Sequence, residues 1–158
     1  MIVPEFARLH LLTIAERVMA SRPPDVKIGG DYVHRWMVYP KNRWRNVYIH
    51  KFMANDDDCA LHDHEPDNAS ILLQNSYIEH FHAKPLCVVN GRYLTTAYQR
   101  HPGQLIFRLA GTPHRIELAD QDKPVITMFV QGIRRRKWGF VTPRGWVGWE
   151  TYLAEKVK

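Results

Sequence analysis

Short β-prone segments, separated at close intervals by Gly, Pro and Asn, limit the possible folds of this chain more than any other feature. Aromatic and β-branched residues fill segments such as Tyr32 to Tyr39, Arg43 to Phe52 and Val125 to Gln131. Short strands punctuated by turns are typical of barrels and double-sheet rolls. The sequence therefore predicts an all-β fold.

Turn residues divide the rest of the chain in the same way. The dipeptide Asn90-Gly91 is the strongest short hairpin signal in the chain. Turns are also predicted at 101–103 and 111–113, where Gly and Pro cluster. The remaining predicted strands are Ile71 to Ile78, Leu86 to Val89, Arg92 to Tyr98, Gln104 to Leu109 and His114 to Leu118.

One segment at the N-terminus has helical rather than β periodicity. Apolar residues from Pro4 to Ser21 recur at helical spacing, and Pro23-Pro24 ends the pattern. We expect residues 1–24 to form a helix and linker and residues 25–158 to form the β domain. With 158 residues, of which 45% are hydrophobic, the chain is long enough for one domain with a sizeable core.

Composition argues against several classes of protein and leaves nucleic-acid binding to be considered. Charged residues interrupt the apolar N-terminal segment, which predicts neither a signal peptide nor a membrane span. Cys59 and Cys87 are too far apart for a CxxC motif, and nothing suggests a disulfide framework. This cysteine usage fits a reducing compartment, so we expect a cytoplasmic protein. A net charge of +6 permits nucleic-acid contact. The basic run 134–137 is nevertheless better interpreted as a solvated strand edge, which makes nucleic-acid binding unlikely.

The residues with the clearest chemistry are histidines. His62 and His64 flank a single Asp, and side chains two residues apart on a strand point to the same face. Two imidazoles on one face can bind one metal ion. His114 follows the predicted turn at 111–113 and is a third candidate ligand.

These positions resemble the two motifs of the cupin superfamily, the RmlC-like jelly-roll β-barrels. Gly103, Gly111 and His114 have the spacing of the second motif, in which Leu109 and Leu118 stand in place of the usual Pro and Asn. His62 and His64 match the histidines of the first motif. The resemblance implies a cupin-type jelly-roll barrel, preceded here by one N-terminal α-helix.

The first motif departs from the cupin pattern at its metal-binding carboxylate. Asn68 or Ala69 stands where Glu is expected, and Asp56 replaces the first Gly. The resemblance then implies a neutral three-His site, as in thiol dioxygenases, which are cupins with three-His iron. Such a site leaves about three positions open on a six-coordinate metal. We expect a divalent metal, with Fe(II) favoured and Zn, Ni and Mn possible.

Several residues are candidates for the remaining roles. Glu79, or else Asp67 or Glu65, could replace the missing carboxylate. Glu79 is favoured because an acidic group on an apolar strand needs a partner, although a solvent-facing ion pair explains it equally well. Tyr77 or Arg108 could orient a substrate.

Three functions are compatible with the sequence. The leading hypothesis is a metal-dependent oxygenase, a non-haem iron dioxygenase among the possibilities, that acts on a small molecule through His62, His64 and His114. The alternative is a non-catalytic ligand-binding or sensing cupin, and nucleic-acid association is a weaker third. His50 could line the pocket, although such residues are more often satisfied core histidines. The aromatic tail, 134–152, could cover a sheet or form a homodimer contact.

Overall fold

The computed structural model describes residues 1–56, 60–83, 88–90 and 92–156. Two helices, α1 (Glu5–Ser21) and α2 (Trp149–Lys156), stand near the two ends of the chain. The strands between them are β1 (Val26–Ile28), β2 (Val33–Met37), β3 (Asn46–Phe52), β4 (Leu61–His62), β5 (Asn68–Gln74), β6 (Tyr77–His82), β7 (Val88–Val89), β8 (Arg92–Tyr93), β9 (Thr95–Arg100), β10 (Leu105–Arg108), β11 (Arg115–Leu118), β12 (Val125–Gln131), β13 (Gly139–Thr142) and β14 (Gly145–Gly148).

A six-stranded antiparallel sheet forms the frame of the protein. Its strand order is β1-β2-β3-β12-β5-β10, so the late strand β12 lies between two early strands. A three-stranded sheet, β11-β6-β9, packs against it, and the strands β14-β13-β4 form another. The hairpin β7-β8 completes the paired strands of the described residues.

The six-stranded sheet has an apolar outer face that helix α1 covers. Trp36, Ile49, Leu73 and Ile126 project from four strands and pack with Ala15 of the helix. Because side chains alternate along a strand, the residues between them face the other way. Packing against the sheet explains why α1 is stable without a polar cap on its N-terminus.

The inner face meets the three-stranded sheet across a second core. Val33, Phe52 and Leu72 of the large sheet pack with Tyr77 and Leu118 of the smaller one. These side chains are nearly or fully buried. Toward one end of the two sheets the apolar core is replaced by polar side chains and a cavity, which contains the candidate site.

Most predicted elements are confirmed. The N-terminal helix and the strand Val125 to Gln131 have the predicted limits to within one residue. The chain pairs in register on either side of Asn90, with Val89 opposite Arg92, as expected for a two-residue hairpin. Gly91 itself, the two cysteines and the predicted strand residue Leu86 lie outside the described residues.

The prediction of one strand from Ile71 to Ile78 is wrong. The chain breaks at Asn75, which has a positive φ of 57°, and β5 and β6 join different sheets. Asn tolerates the left-handed conformation because its short side chain bonds locally, and here its Nδ2 donates to the Pro124 carbonyl at 2.8 Å. This break lets one continuous sequence contribute to both layers.

Two further features correct the predicted barrel. The strands of the described residues form separate sheets rather than one closed hydrogen-bonded barrel. A second helix, α2, follows the last strand, where its Tyr152 stacks on Phe140 at 4.0 Å between ring centroids. These two tail aromatics thus pack on each other at one sheet, and the predicted homodimer contact stays a prediction. Neither helix in the described parts of the chain is long and apolar enough to span a membrane.

Candidate metal centre

A backbone bridge brings two distant histidines together. His62 N donates to His114 O at 2.9 Å, and His114 N donates to His62 O at the same distance. Directly opposed residues on antiparallel segments project their side chains to the same side. The two imidazole centroids are therefore only 5.0 Å apart.

His64 completes a cluster of three. It lies beyond the end of β4, and its ring centroid is 5.3 Å from His62 and 5.0 Å from His114. The Nε2 atoms of His64 and His114 are 3.3 Å apart. One nitrogen from each of the three rings lies within 4.8 Å of the other two.

In two of the rings, Nδ1 contacts another protein group. His114 Nδ1 is 3.3 Å from the Thr112 carbonyl, which leaves Nε2 directed toward the cluster. His62 Nδ1 is 2.9 Å from Asp56 Oδ2. That oxygen makes no hydrogen bond to the described residues, so the contact is a close electrostatic one with poor alignment.

Burial favours the neutral form of two of the three imidazoles. It lowers the pKa of His64 well below its usual range, and the charge of Arg108 lowers it further. Burial likewise lowers the pKa of His114, again with a contribution from Arg108. A neutral imidazole has the free lone pair that a metal needs.

Asp63, between two of the histidines, is anchored to the C-terminal segment. It is 1% exposed, and its Oδ1 accepts a hydrogen bond from Gly139 N at 2.8 Å. Its Oδ2 accepts one from Trp146 Nε1 at 2.9 Å and pairs with Arg136. These bonds fix the backbone between His62 and His64, and sequence reasoning did not identify them.

The two arginines that precede Arg136 in the chain are also paired with residues near the histidines. Arg134 Nε is 2.8 Å from Glu65, and Arg135 Nη1 is 3.4 Å from Asp67. Asp67 Oδ1 also accepts a hydrogen bond from Ala110 N at 2.7 Å. The basic run predicted to be a solvated edge thus ties the C-terminal segment to the chain that follows the His pair.

The histidines lie in the wall of a cavity of about 500 Å³. Its apolar surface comes from Ile28, Val33, Ile116 and the aromatic residues Tyr32, Tyr48, Phe52, Phe129, Trp138 and Trp149. Its charged lining consists of Arg35, Lys41, Asp63, Glu65, Arg108 and Arg134, and its remaining polar lining includes His50, Ser70 and Gln131. A few polar groups in an aromatic cavity of this size are typical of a small-molecule site.

The three residues predicted for catalytic roles form one buried network. Glu79, which is fully buried, accepts from Arg108 Nε at 2.6 Å and from Arg100 Nε at 2.8 Å. Arg108 Nη2 donates to Tyr77 OH at 3.1 Å, and Nη1 donates to Ser70 Oγ at 3.2 Å. Arg108 lines the cavity, whereas Tyr77 and Glu79 lie behind it.

This network bears on the missing carboxylate of the cupin motif. Both oxygens of Glu79 are engaged by arginines. Among the described residues, Glu79, Asp67 and Glu65 are not members of the candidate metal cluster, which contains only the three histidines. Glu79 is therefore an ion-pair partner of Arg108 and Arg100 in this structure.

Comparisons with known proteins give similarity at the level of structure only. No family model matches the sequence, and no curated protein matches it. The hydroxypropylphosphonic acid epoxidase of S. wedmorenis is similar in structure, with a TM-score of 0.54 and 14% identity over 70% of this chain and 56% of that one. Fe(II) HppE gives the same TM-score at 15% identity, again over 70% and 56%.

Two further structures show the same kind of similarity. A mannose-6-phosphate isomerase candidate from Ralstonia eutropha has a TM-score of 0.50 and 13% identity, covering 69% of this chain and 92% of that one. A cupin superfamily protein from Desulfitobacterium hafniense has a TM-score of 0.48 and 12% identity over 73% and 88%.

The structural neighbours bear on the fold of this chain. The predicted resemblance to cupins is confirmed at the level of the fold, and at these identities nothing beyond the fold is shown. This chain aligns with little more than half the length of the epoxidase.

Proposed function

We propose that this protein is a metal-dependent cupin in which His62, His64 and His114 bind one divalent ion, and that it acts as an oxygenase on a small molecule. The observation that carries the proposal is the convergence of three imidazole nitrogens within 4.8 Å on the wall of a cavity. They come from segments about fifty residues apart in the chain, and packing alone does not require such convergence.

The spacing of the nitrogens suits a metal. Imidazole nitrogens lie about 2.0–2.1 Å from a bound ion, so neighbouring ligands of a facial site are about 3 Å apart. The 3.3 Å between Nε2 of His64 and Nε2 of His114 is close to that value. The same distance also permits a hydrogen bond between the two rings when one carries a proton, which metal binding would replace.

The ligand set favours iron(II) and leaves other ions possible. Three neutral imidazoles suit Fe, Zn, Ni and Mn to differing degrees. When bound, an iron(II) ion would supply Lewis acidity and redox chemistry with dioxygen at its open positions. The Fe(II) state of HppE, which has a similar fold, is consistent with this choice.

The residues of this chain would bind and orient the substrate. Arg108 presents its guanidinium to the cavity, and Glu79, Tyr77 and Ser70 prevent it from rotating. A side chain whose rotamer is locked in this way contributes orientation at little entropic cost. The aromatic walls would pack against the apolar part of the substrate.

Metal analysis tests the proposal. Untagged protein purified and loaded with Fe(II) without oxygen should hold about one ion per chain, and His114→Ala should hold far less. His10→Ala, which removes an exposed histidine from α1, is the matched control and should retain the metal. A wild-type protein that remains metal-free, or a His114→Ala variant that binds as well as the control, would refute it.

Oxygen uptake separates the oxygenase from the alternative of a binding or sensing cupin. Loaded protein is mixed with candidate thiols and diketones, and dioxygen consumption is recorded with and without His114→Ala. Consumption that depends on His114 supports the enzyme. A protein that binds these compounds and consumes no oxygen would instead be a ligand-binding cupin. Homodimerisation stays a separate prediction.

A further inference from the structure

Arg35 occupies a position in the cavity that the proposed function does not use. It lies in β2, directly opposite His50 in β3. Its Nε donates a hydrogen bond to His50 Nε2 at 2.8 Å, and its guanidinium carbon lies 4.7 Å from the centre of the Tyr48 ring. Both contacts hold the guanidinium against the cavity wall while its two terminal nitrogens make no hydrogen bond to the described residues.

The charge of Arg35 is unusual among the arginines of this cavity. Arg108 is paired with Glu79, and Arg134 is paired with Glu65. Arg35 has no carboxylate partner in the described ranges of the chain, and burial lowers the pKa of its guanidinium. A partly buried cation without a carboxylate partner costs free energy, and an anionic ligand would supply the missing charge.

The histidine beside Arg35 accepts its hydrogen bond and fixes its position. His50 is buried, and burial together with the charge of Arg35 lowers its pKa well below the usual range. The ring is therefore neutral, and its Nε2 accepts the proton of Arg35 Nε rather than repelling the cation. His50 also stacks on Phe129 at 4.9 Å, which fixes its orientation.

Arg35 and the candidate metal ligands face the same enclosed space. Phe129 lies between His50 and His64, with ring centroids 4.9 Å and 6.0 Å away from the two. Arg35, Phe129 and His64 all line this one cavity, so the guanidinium and the histidines face the same space. Exposed Lys41 also lines this cavity and has no carboxylate partner in the part of the chain that the structure describes.

We propose that Arg35 is the anchor for an anionic group of the ligand, and that the cavity accepts small organic anions carrying a carboxylate, phosphate or phosphonate. The planar guanidinium has free donors that match two oxygens of such a group. The other end of the same molecule then reaches the three histidines. This second part rests on the proposed metal site, whereas the binding of the anion to Arg35 does not.

Titration calorimetry with two simple probes tests the anchor. Inorganic phosphate and succinate are titrated into protein treated with a chelator, so that neither probe can bind through a metal. Arg35→Gln should weaken binding of the preferred probe about tenfold or more. Arg35→Lys should lose less, because it keeps the charge and loses only the paired donors. Arg144→Gln removes the same charge from an exposed ion pair outside the cavity and is the control.

The outcomes separate this inference from the metal site. Weaker probe binding in Arg35→Gln, with the metal content of loaded protein unchanged, supports the anchor. Equal binding in Arg35→Gln and Arg144→Gln, or no binding of either probe by the wild type, overturns it even when the metal binds. Loss of the metal site alone, with the Arg35 effect intact, refutes the proposed function and leaves the anchor standing.

Thermal unfolding distinguishes the anchor from a structural residue. Removal of an unpaired, partly buried charge should leave the melting temperature of Arg35→Gln unchanged or raise it. A large decrease would show that Arg35 also stabilises the fold. Arg35→Lys then decides the role, because probe binding equal to that of the control would contradict the anchor and weaker binding would support it.

Discussion

The two faces of the six-stranded sheet are built from alternate residues of the same strands and have opposite properties. On the outer face, Trp36 and Ile49 pack under helix α1 in an apolar layer. On the inner face, their neighbours Arg35 and His50 line a polar cavity. The contrast teaches that the outer face is apolar under the helix, whereas the inner face combines an apolar core with buried polar groups that are available for binding.

The inner face itself contains two kinds of arginine. Arg108 has a complete set of partners, with Glu79 on one side and Tyr77 and Ser70 on the other. Arg35 has a neutral histidine and an aromatic ring, and no carboxylate among the described residues. We therefore expect the first network to contribute to stability and the second to contribute to ligand affinity.

The largest effect is expected from Glu79→Gln. This substitution leaves Arg108 and Arg100 without their shared carboxylate in a buried position, and loss of one partner of a buried ion pair costs about 3–5 kcal/mol. Urea unfolding measures the loss. Adding Arg108→Met to Glu79→Gln should restore part of the stability, and a double variant no more stable than the single one would contradict the coupling.

A slightly smaller effect is expected on the outer face. Leu73 is fully buried against α1, and Leu73→Ala should reduce the free energy of unfolding by about 3 kcal/mol through lost burial and a cavity. Metal bound per folded chain should not change. Leu153→Ala, on the partly exposed helix α2, is the control and should cost well under 1 kcal/mol. If Leu73→Ala removed the metal without destabilising the fold, the division between the two faces would be wrong.

The smallest effect on stability is expected from Asp63→Asn. The amide keeps the shape of the side chain but loses the charge that pairs with Arg136, at a cost of about 2 kcal/mol. Because Asp63 fixes the segment between His62 and His64, metal affinity should also fall about tenfold. Competition with a chelating dye measures that affinity, with Asp67→Asn as the neighbouring control. Equal affinities in the two variants would show that the anchor at Asp63 does not position the ligands.

Much of the fold and the candidate ligands could be predicted because the relevant signals are local. The β-branched and aromatic residues of Val125 to Gln131 indicate a strand whatever its partners are. The His-x-His pair and the turn before His114 are visible as a pattern, and the structure brings these three residues together.

The features that sequence reasoning missed depend on contacts between distant segments. Asp63 gains its partners from Gly139 and Trp146, which follow it by 76 and 83 residues. The unpaired state of Arg35 is a property of the folded cavity and has no local signal. Helix α2 was missed because its Trp and Tyr continue the strand-like aromatic pattern of the tail.

Anomalous diffraction from crystals loaded anaerobically with Fe(II) tests the central claim most directly. The account predicts one strong peak at the iron edge, with imidazole nitrogens of His62, His64 and His114 about 2.0–2.3 Å away. No peak between these three rings in loaded crystals, or a peak at other side chains, would contradict it.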